Sequence, residues 1–188
     1  LMVREVVLRG LPQAWVLVDD LSPADDAAER ALSLSASVAL RLLRTGHTVR
    51  LVRLDGRGAG ESRFEPAGGP TPLLEAFARV QLPTPGTVGS PGMPGAVGAV
   101  GAVGGGGAVG QDGEDLTAAL SHRLLSGVGT RGAVAPIYGA LAQVSEQTAG
   151  ELGRLASVAR PGWLWLTGSS SEVETTLRRQ GWTVEAAQ

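Results

Sequence analysis

Residues 14–20 read AWVLVDD and residues 48–54 read TVRLVRL. The first run is apolar without interruption until it ends in two acids. Bounded by turn signals, such a run reads as a strand buried on both faces. The second alternates Val49, Leu51, Val52 and Leu54 with Arg50 and Arg53 and reads as a second strand. Between them, Ala28, Ala31, Leu32, Ser35, Val38, Ala39, Leu42 and Leu43 recur at i, i+3, i+4 spacing. They form one face of a helix over 27–45, and Gly46 stands where a helix-ending glycine belongs. Strand, helix and strand make a βαβ unit, which implies parallel pairing through a right-handed crossover.

The pattern continues beyond this unit. Residues 55–71 are polar and turn-rich, 72–81 read as a short helix, and 116–125 (LTAALSHRLL) as another. Residues 132–138 (GAVAPIY) read as a strand that Pro136 weakens or moves toward an edge. Residues 148–159 are helical, 162–166 (GWLWL) are a buried strand, and 171–180 are a last helix with Ser171 and Glu174 spaced as a capping box. Gly181 ends that helix and 182–184 begin a final strand. Trp15, Trp163, Trp165 and Trp182 fall on predicted strands, where packing into the core is the expectation. Alternating strands and helices predict an α/β doubly wound, mostly parallel sheet.

One stretch breaks the pattern. From Gly86 to Gly113 glycine stands at every third position, often as Gly-Ala-Val. A collagen-like triple helix needs about 15–20% Pro or hydroxyproline, and only Pro91 and Pro94 fall within the triplets. The stretch has too little apolar bulk to offset the entropy of ordering. Residues 83–114 are therefore expected to be a disordered insert within a single domain spanning 1–188.

Composition narrows the function. The net charge is −2 over 188 residues, which leaves no electrostatic footprint for nucleic acid. All 16 basic residues are Arg, the usage of a high-GC genome. The absence of Cys excludes disulfides, thiolate metal sites and cysteine nucleophiles. No apolar run reaches the about 18 residues of a membrane span, and no signal-peptide pattern opens the chain. The chain opens on Leu1, so either Met2 is the start or an N-terminal part is missing.

Asp19 and Asp20 stand at the carboxyl end of the first strand, where open α/β sheets bind ligands. A D-x-S-x-S pattern there would hold Mg²⁺ or Mn²⁺ through oxygen ligands. Starting at Asp20, Ser22 fits and Ala24 does not; starting at Asp19, Leu21 and Pro23 occupy the serine positions. Asp19, Asp20 and Ser22 are thus a candidate degenerate binding loop with no metal assigned. Helix capping also accounts for the segment, with Ser22 as N-cap, Pro23 at N1, and Asp25, Asp26 and Glu29 favoured by the helix dipole. Gly56, Gly58 and Gly60 resemble a phosphate loop but lack the helix that should follow, so they read as a turn. His47 follows a helix end and lies far in sequence from His122, and no flanking motif supports a catalytic triad. No cofactor is expected, and the domain reads as non-enzymatic.

Four segments resemble the actinobacterial branch of the bacterial domain-of-unknown-function 58 family. They are residues 2–5 (MVRE), the strand 15–19 (WVLVD), the helix 35–43 (SASVALRLL) running on into 46–52 (GHTVRLV), and the closing 177–184 (LRRQGWTV). The resemblance implies a von Willebrand factor A-like, Rossmann-like three-layer sandwich. It implies a bacterial parent protein anchored by transmembrane helices before Leu1, with this domain in the cytoplasm. It also implies operon neighbours that are MoxR-type AAA+ ATPases and transglutaminase-like proteins. Family members with an intact metal site carry D-x-S-x-S, a distant Thr and an Asp after the fourth strand. Asp20 and Ser22 match part of the first element, whereas residues 138–140 (YGA) supply no Asp.

The expected function is a scaffold or adaptor domain that docks another protein, with a MoxR-type ATPase as the nominated partner. A metal-dependent (Mg/Mn) binding module is the alternative, and a Rossmann-like enzyme using Gly56–Gly60 is a third reading. The insert gives the first prediction. Because loop-closure entropy changes slowly with length, replacing 86–113 by a short Gly/Ser linker should leave the melting temperature within a few degrees. Loss of cooperative unfolding in a calorimeter would show the repeat to be structural.

Overall fold

The computed structural model describes residues 12–54, 62–84, 135–156 and 161–187. The glycine repeat, the Gly56–Gly60 loop, the 116–125 helix and His122 lie outside them. Within the described residues the chain runs β1 (Gln13–Val18), α1 (Asp26–Arg44), β2 (Thr48–Arg53), β3 (Ser62–Phe64), a 3₁₀ turn (Pro66–Gly68) and α2 (Thr71–Ala78). It continues with β4 (Ile137–Leu141), α3 (Glu146–Ala156), β5 (Gly162–Leu166), α4 (Ser171–Arg179) and β6 (Thr183–Ala186). The strands form one sheet in the order β3-β2-β1-β4-β5-β6. All neighbours are parallel except β3, which runs antiparallel to β2 at the edge. The protein is an α/β fold with a mostly parallel six-stranded sheet and helices on both faces, of the Rossmann-like kind.

Side-chain alternation along β1 shows why its run is continuously apolar. Ala14, Val16 and Val18 pack with Ala39, Leu42 and Leu43 of α1 and with Leu73 and Phe77 of α2. Trp15 and Leu17 point the other way, into a cluster with Leu152 and Leu155 of α3 and Val173 and Leu177 of α4. Connections step leftward from β1 to β2 and rightward from β4 to β5 and β6. With crossovers of one hand, opposite steps place helices on opposite faces. The reversal falls between β1 and β4, and there the carboxyl ends of adjacent strands diverge into separate loops.

Small residues let α1 approach that junction closely. Ala28 and Ala31 are fully buried and pack with Ala140 and Ala142. Ser35 is also buried; its hydroxyl donates to Leu17 O at 3.3 Å and accepts from Ala140 N at 3.3 Å. One helical hydroxyl thus bridges both strands of the junction. On the opposite face, Gly139 lies between Leu17 and Leu164, and a Cβ there would sit 3.1 Å from atoms of each. That spacing is tighter than ordinary side-chain packing, so alanine would push the neighbouring strands apart.

Several boundaries differ from the sequence expectation for identifiable reasons. Among the described residues the fourth strand runs Ile137–Leu141, past the expected end at 138, and it starts directly after Pro136, which has no N–H to give a ladder. Its carbonyl still accepts from Trp15 N at 2.9 Å. The stretch taken as pure connection, 55–71, contains β3, whose three residues are too few to show a period. The cap of α4 is Ser170, which accepts from Val173 N; Ser171 is the first helical residue. Gly46 (φ 88°) and Gly181 (φ 102°) follow the ends of α1 and α4 in the left-handed conformation that favours glycine, as their positions predicted. His47 closes the end of α1 through its backbone N–H to Leu42 O, while its Nδ1 lies 3.1 Å from Thr45 Oγ1.

The tryptophans divide into two pairs. Trp15 and Trp182 are core residues, and Trp182 Nε1 donates to Leu152 O at 3.0 Å. Trp163 and Trp165 are half-buried on the α1 face, where both stack with Tyr138 at centroid distances of 5.5 and 6.4 Å. Trp165 Nε1 donates to Glu185 at 3.0 Å. Burial pushes the Tyr138 phenol above its ordinary value of 10.0, because the charged form is disfavoured away from water. The unfolded chain therefore loses this proton first as pH rises. The stability linked to Tyr138 is intact below pH 10 and is lost as pH rises through the folded value. Tyr138 is the only tyrosine, so an absorbance titration reads it alone. A native midpoint above 10 that falls to about 10 in denaturant is expected; equal midpoints would refute the burial effect.

Candidate functional site

Asp19 is the first residue after β1 and is 3% exposed. Its carboxylate accepts four hydrogen bonds. Oδ1 takes Leu21 N at 3.2 Å and Ser22 N at 3.0 Å; Oδ2 takes Ser22 Oγ at 2.7 Å and Ala142 N at 2.8 Å. Ser22, also buried, accepts in turn from Gln143 N at 3.2 Å. A carboxylate has about four lone-pair sites, so Asp19 is saturated. The turn after β1 is held to its own aspartate, and the turn after β4 is held to both.

Asp25 adds a third connection. Its Oδ1 caps α1 by accepting from Ala28 N at 2.8 Å, and its Oδ2 accepts from Gln143 Nε2 at 3.2 Å. The expectation that Ser22 caps α1 is thereby corrected. Ser22 is turned inward to Asp19, and Asp25, three residues on, has the extended backbone a cap requires. Asp20 points elsewhere. Its buried carboxylate pairs with Arg53 at the end of β2, Nε to Oδ2 at 2.5 Å. The three residues nominated from sequence thus separate: Asp19 and Ser22 share one network, and Asp20 faces β2.

Above this network lies a crevice of about 460 Å³ at the β1/β4 junction, the position where doubly wound sheets place ligands. Leu21, Pro23, Leu54, Leu141 and Val144 form its apolar walls. Asp19, Ser22, Gln143, Ser145 and Thr148 supply the polar remainder. Ser145 Oγ accepts from Thr148 N at 3.0 Å and lies 2.9 Å from Thr148 Oγ1, so these groups too are engaged. The alternation of strands and helices puts the loop 138–147, with Gln143 and Ser145, at the carboxyl edge of the sheet together with 19–26, but nothing local marks Thr148 or the individual bonds to Asp19. The Asp19–Ser22 bond did have a signal: an aspartate two and three residues before the N–H groups it caps is an Asx turn.

The residues do not fit a divalent cation. Both oxygens of Asp19 are already committed, Ser22 Oγ donates to Asp19 and accepts from Gln143 N, and the loop after β4 contributes no carboxylate but Gln143, whose amide is turned to Asp25. Among the described residues no group of three His, Cys, Asp or Glu side chains converges as a metal site. Comparison of the chain with protein-family models, with curated proteins and with solved structures gave no match.

The network predicts an order of stabilities. Ser22→Ala leaves one buried Asp19 lone pair and the part-buried Gln143 N without partners and should cost about 1–3 kcal/mol. Asp19→Asn sets an amide N–H against the donor from Ala142 and should cost at least as much. Asp25→Ala, the loss of an exposed cap, should cost about 1 kcal/mol. Urea unfolding measures all three; Asp25→Ala as the most damaging would show that capping, and not the buried network, dominates this loop.

Proposed function

We propose that this chain is a non-enzymatic protein-interaction domain of von Willebrand A-like architecture that binds its partner at the β1/β4 crevice without a metal ion. The saturated Asp19 carboxylate carries this reading. A domain that recognised its ligand through a cation would leave lone pairs of this group open, and here backbone N–H groups and a serine hydroxyl take all of them. The sheet order, with one antiparallel edge strand beside five parallel ones, is compatible with that architecture. Among the described lining residues the one hydroxyl beside a carboxylate, Ser22 against Asp19, is held by backbone N–H groups of both turns, and no His lines the crevice, which favours docking over chemistry.

The family resemblance supplies the setting: a scaffold or adaptor in a membrane-anchored bacterial protein, the domain lying in the cytoplasm, with a MoxR-type AAA+ ATPase as partner. Among the described residues no helix is long and apolar enough to cross a membrane; the anchoring helices before Leu1 are what the resemblance implies.

Two measurements test the reading. Calorimetric titration with Mn²⁺ should show no binding in the micromolar range, and millimolar Mg²⁺ should not raise the melting temperature. Capture of the neighbouring MoxR-type ATPase should succeed with the wild type and fail with Leu21→Arg, which places a charge on the exposed rim without touching the core. Tight Mn²⁺ binding that Asp19→Asn abolishes would favour the metal-dependent alternative. Turnover of a small substrate would overturn the non-enzymatic reading.

A further inference from the structure

Resting on that reading, we propose that the crevice takes an aliphatic side chain of the partner, presented on a segment whose flanking residues are basic. Three observations carry this. First, the crevice offers little to a polar ligand. Small-molecule pockets orient their ligands through a few convergent hydrogen-bonding groups, and here Asp19, Ser22 and Ser145 are spent on the protein's own backbone. Beside Gln143 and Thr148, what remains is the apolar wall of Leu21, Pro23, Leu54, Leu141 and Val144.

Second, Leu21 stands on the rim 45% exposed; only it and Leu74 are large apolar side chains exposed to this degree among the described residues. The Asp19 and Asp20 interactions fix the backbone on either side, so Leu21 is held outward on a rigid turn. Burying it under a partner recovers transfer free energy at little entropic cost.

Third, the charge around the mouth has one dominant sign. Asp25 touches Gln143 on one rim, and Asp26 and Glu29 follow it along the first turns of α1. Glu146 adjoins Ser145 on the opposite rim. All four are exposed. Arg53, at the end of β2, is engaged by Asp20. The partner's charges therefore belong outside the crevice on this acidic rim, and only its apolar anchor goes in. Such an arrangement steers encounter electrostatically while the anchor sets residence time.

The test uses the full chain, isotopically labelled, and three capped pentapeptides read by amide chemical shifts. The first carries a central leucine between two serines and two outer arginines. In the second, serine replaces the leucine; in the third, glutamate replaces both arginines. The first peptide should give saturable shifts at Leu21, Ser22, Gln143 and Val144, weakening as salt is raised. Loss of the leucine should reduce affinity roughly tenfold or more, the scale set by removing apolar bulk from a pocket. Charge reversal should abolish binding, as should Leu21→Arg in the protein.

Equal binding of the first two peptides, shifts confined to Tyr138, Trp163 and Trp165, or no shift at millimolar peptide would each overturn the anchor inference. Leu21-dependent capture of the ATPase alongside any of these results would leave the docking reading standing and remove only the anchor. Leucine-selective, Leu21-dependent peptide binding without ATPase capture would keep the anchor and remove that partner.

Discussion

One buried carboxylate holds the two halves of this molecule in register. Asp19 ends β1, and its oxygens collect the N–H groups of its own turn together with Ala142 N from the turn after β4. Unpaired, a carboxylate this deep would be costly to bury; with four donors it becomes a fixed point. The positions of Ser22, Gln143 and Asp25 follow from it, since each bonds either to Asp19 or to a group that Asp19 has placed. The crevice walls follow in turn, because Leu21, Pro23 and Val144 belong to the two turns it ties.

This solution uses the edge of a doubly wound sheet in a particular way. The same location, with a different loop after β4, could gather oxygens around a cation. Here an amide side chain, Gln143, stands in that loop and bridges to Asp25, and backbone N–H groups occupy the lone pairs a metal would need. The carboxylate is a ligand for the protein itself. What the site presents outward is then shape and apolar surface ringed by acids. Recognition by such a surface depends on a partner's side chains more than on an ion shared between them.

The parts of the fold that could be read from sequence are those whose signal is local. The β1–α1–β2 unit was legible because the run 14–18 is apolar on both faces and α1 repeats its small and aliphatic residues at helical spacing. Gly46 and Gly181 marked helix ends because a positive φ selects glycine. β3 escaped because three residues cannot display a period, and the end of β4 at Leu141 escaped because Gly139 and Ala140 carry little strand signal. Trp163 and Trp165 look like core residues in GWLWL, yet alternation sends them together to the α1 face, where they stack with Tyr138. At the site, Asp19 and Ser22 were nominated as residues, but their mutual bond and the separate fate of Asp20 depend on where β2 and β4 arrive. The capping role passed from Ser22 to Asp25 for the same reason: Ser22 is claimed by a tertiary partner that composition cannot show.

Ser35 gives this junction a kinetic character. Its hydroxyl joins Leu17 to Ala140 across 105 residues of chain between Ser35 and Ala140, and the Asp19–Ala142 bond spans 123. The contacts on either side, β1 with β2 and β4 with β5, close over much shorter stretches. The chain is thus two locally assembled halves meeting along a single seam, and the seam can form only after the long connection has closed. Contacts of that kind carry the largest loop-closure cost. Where such contacts form after the folding transition state they slow unfolding more than they hasten refolding, so these few polar atoms between β1 and β4 bear on how long the folded state lasts.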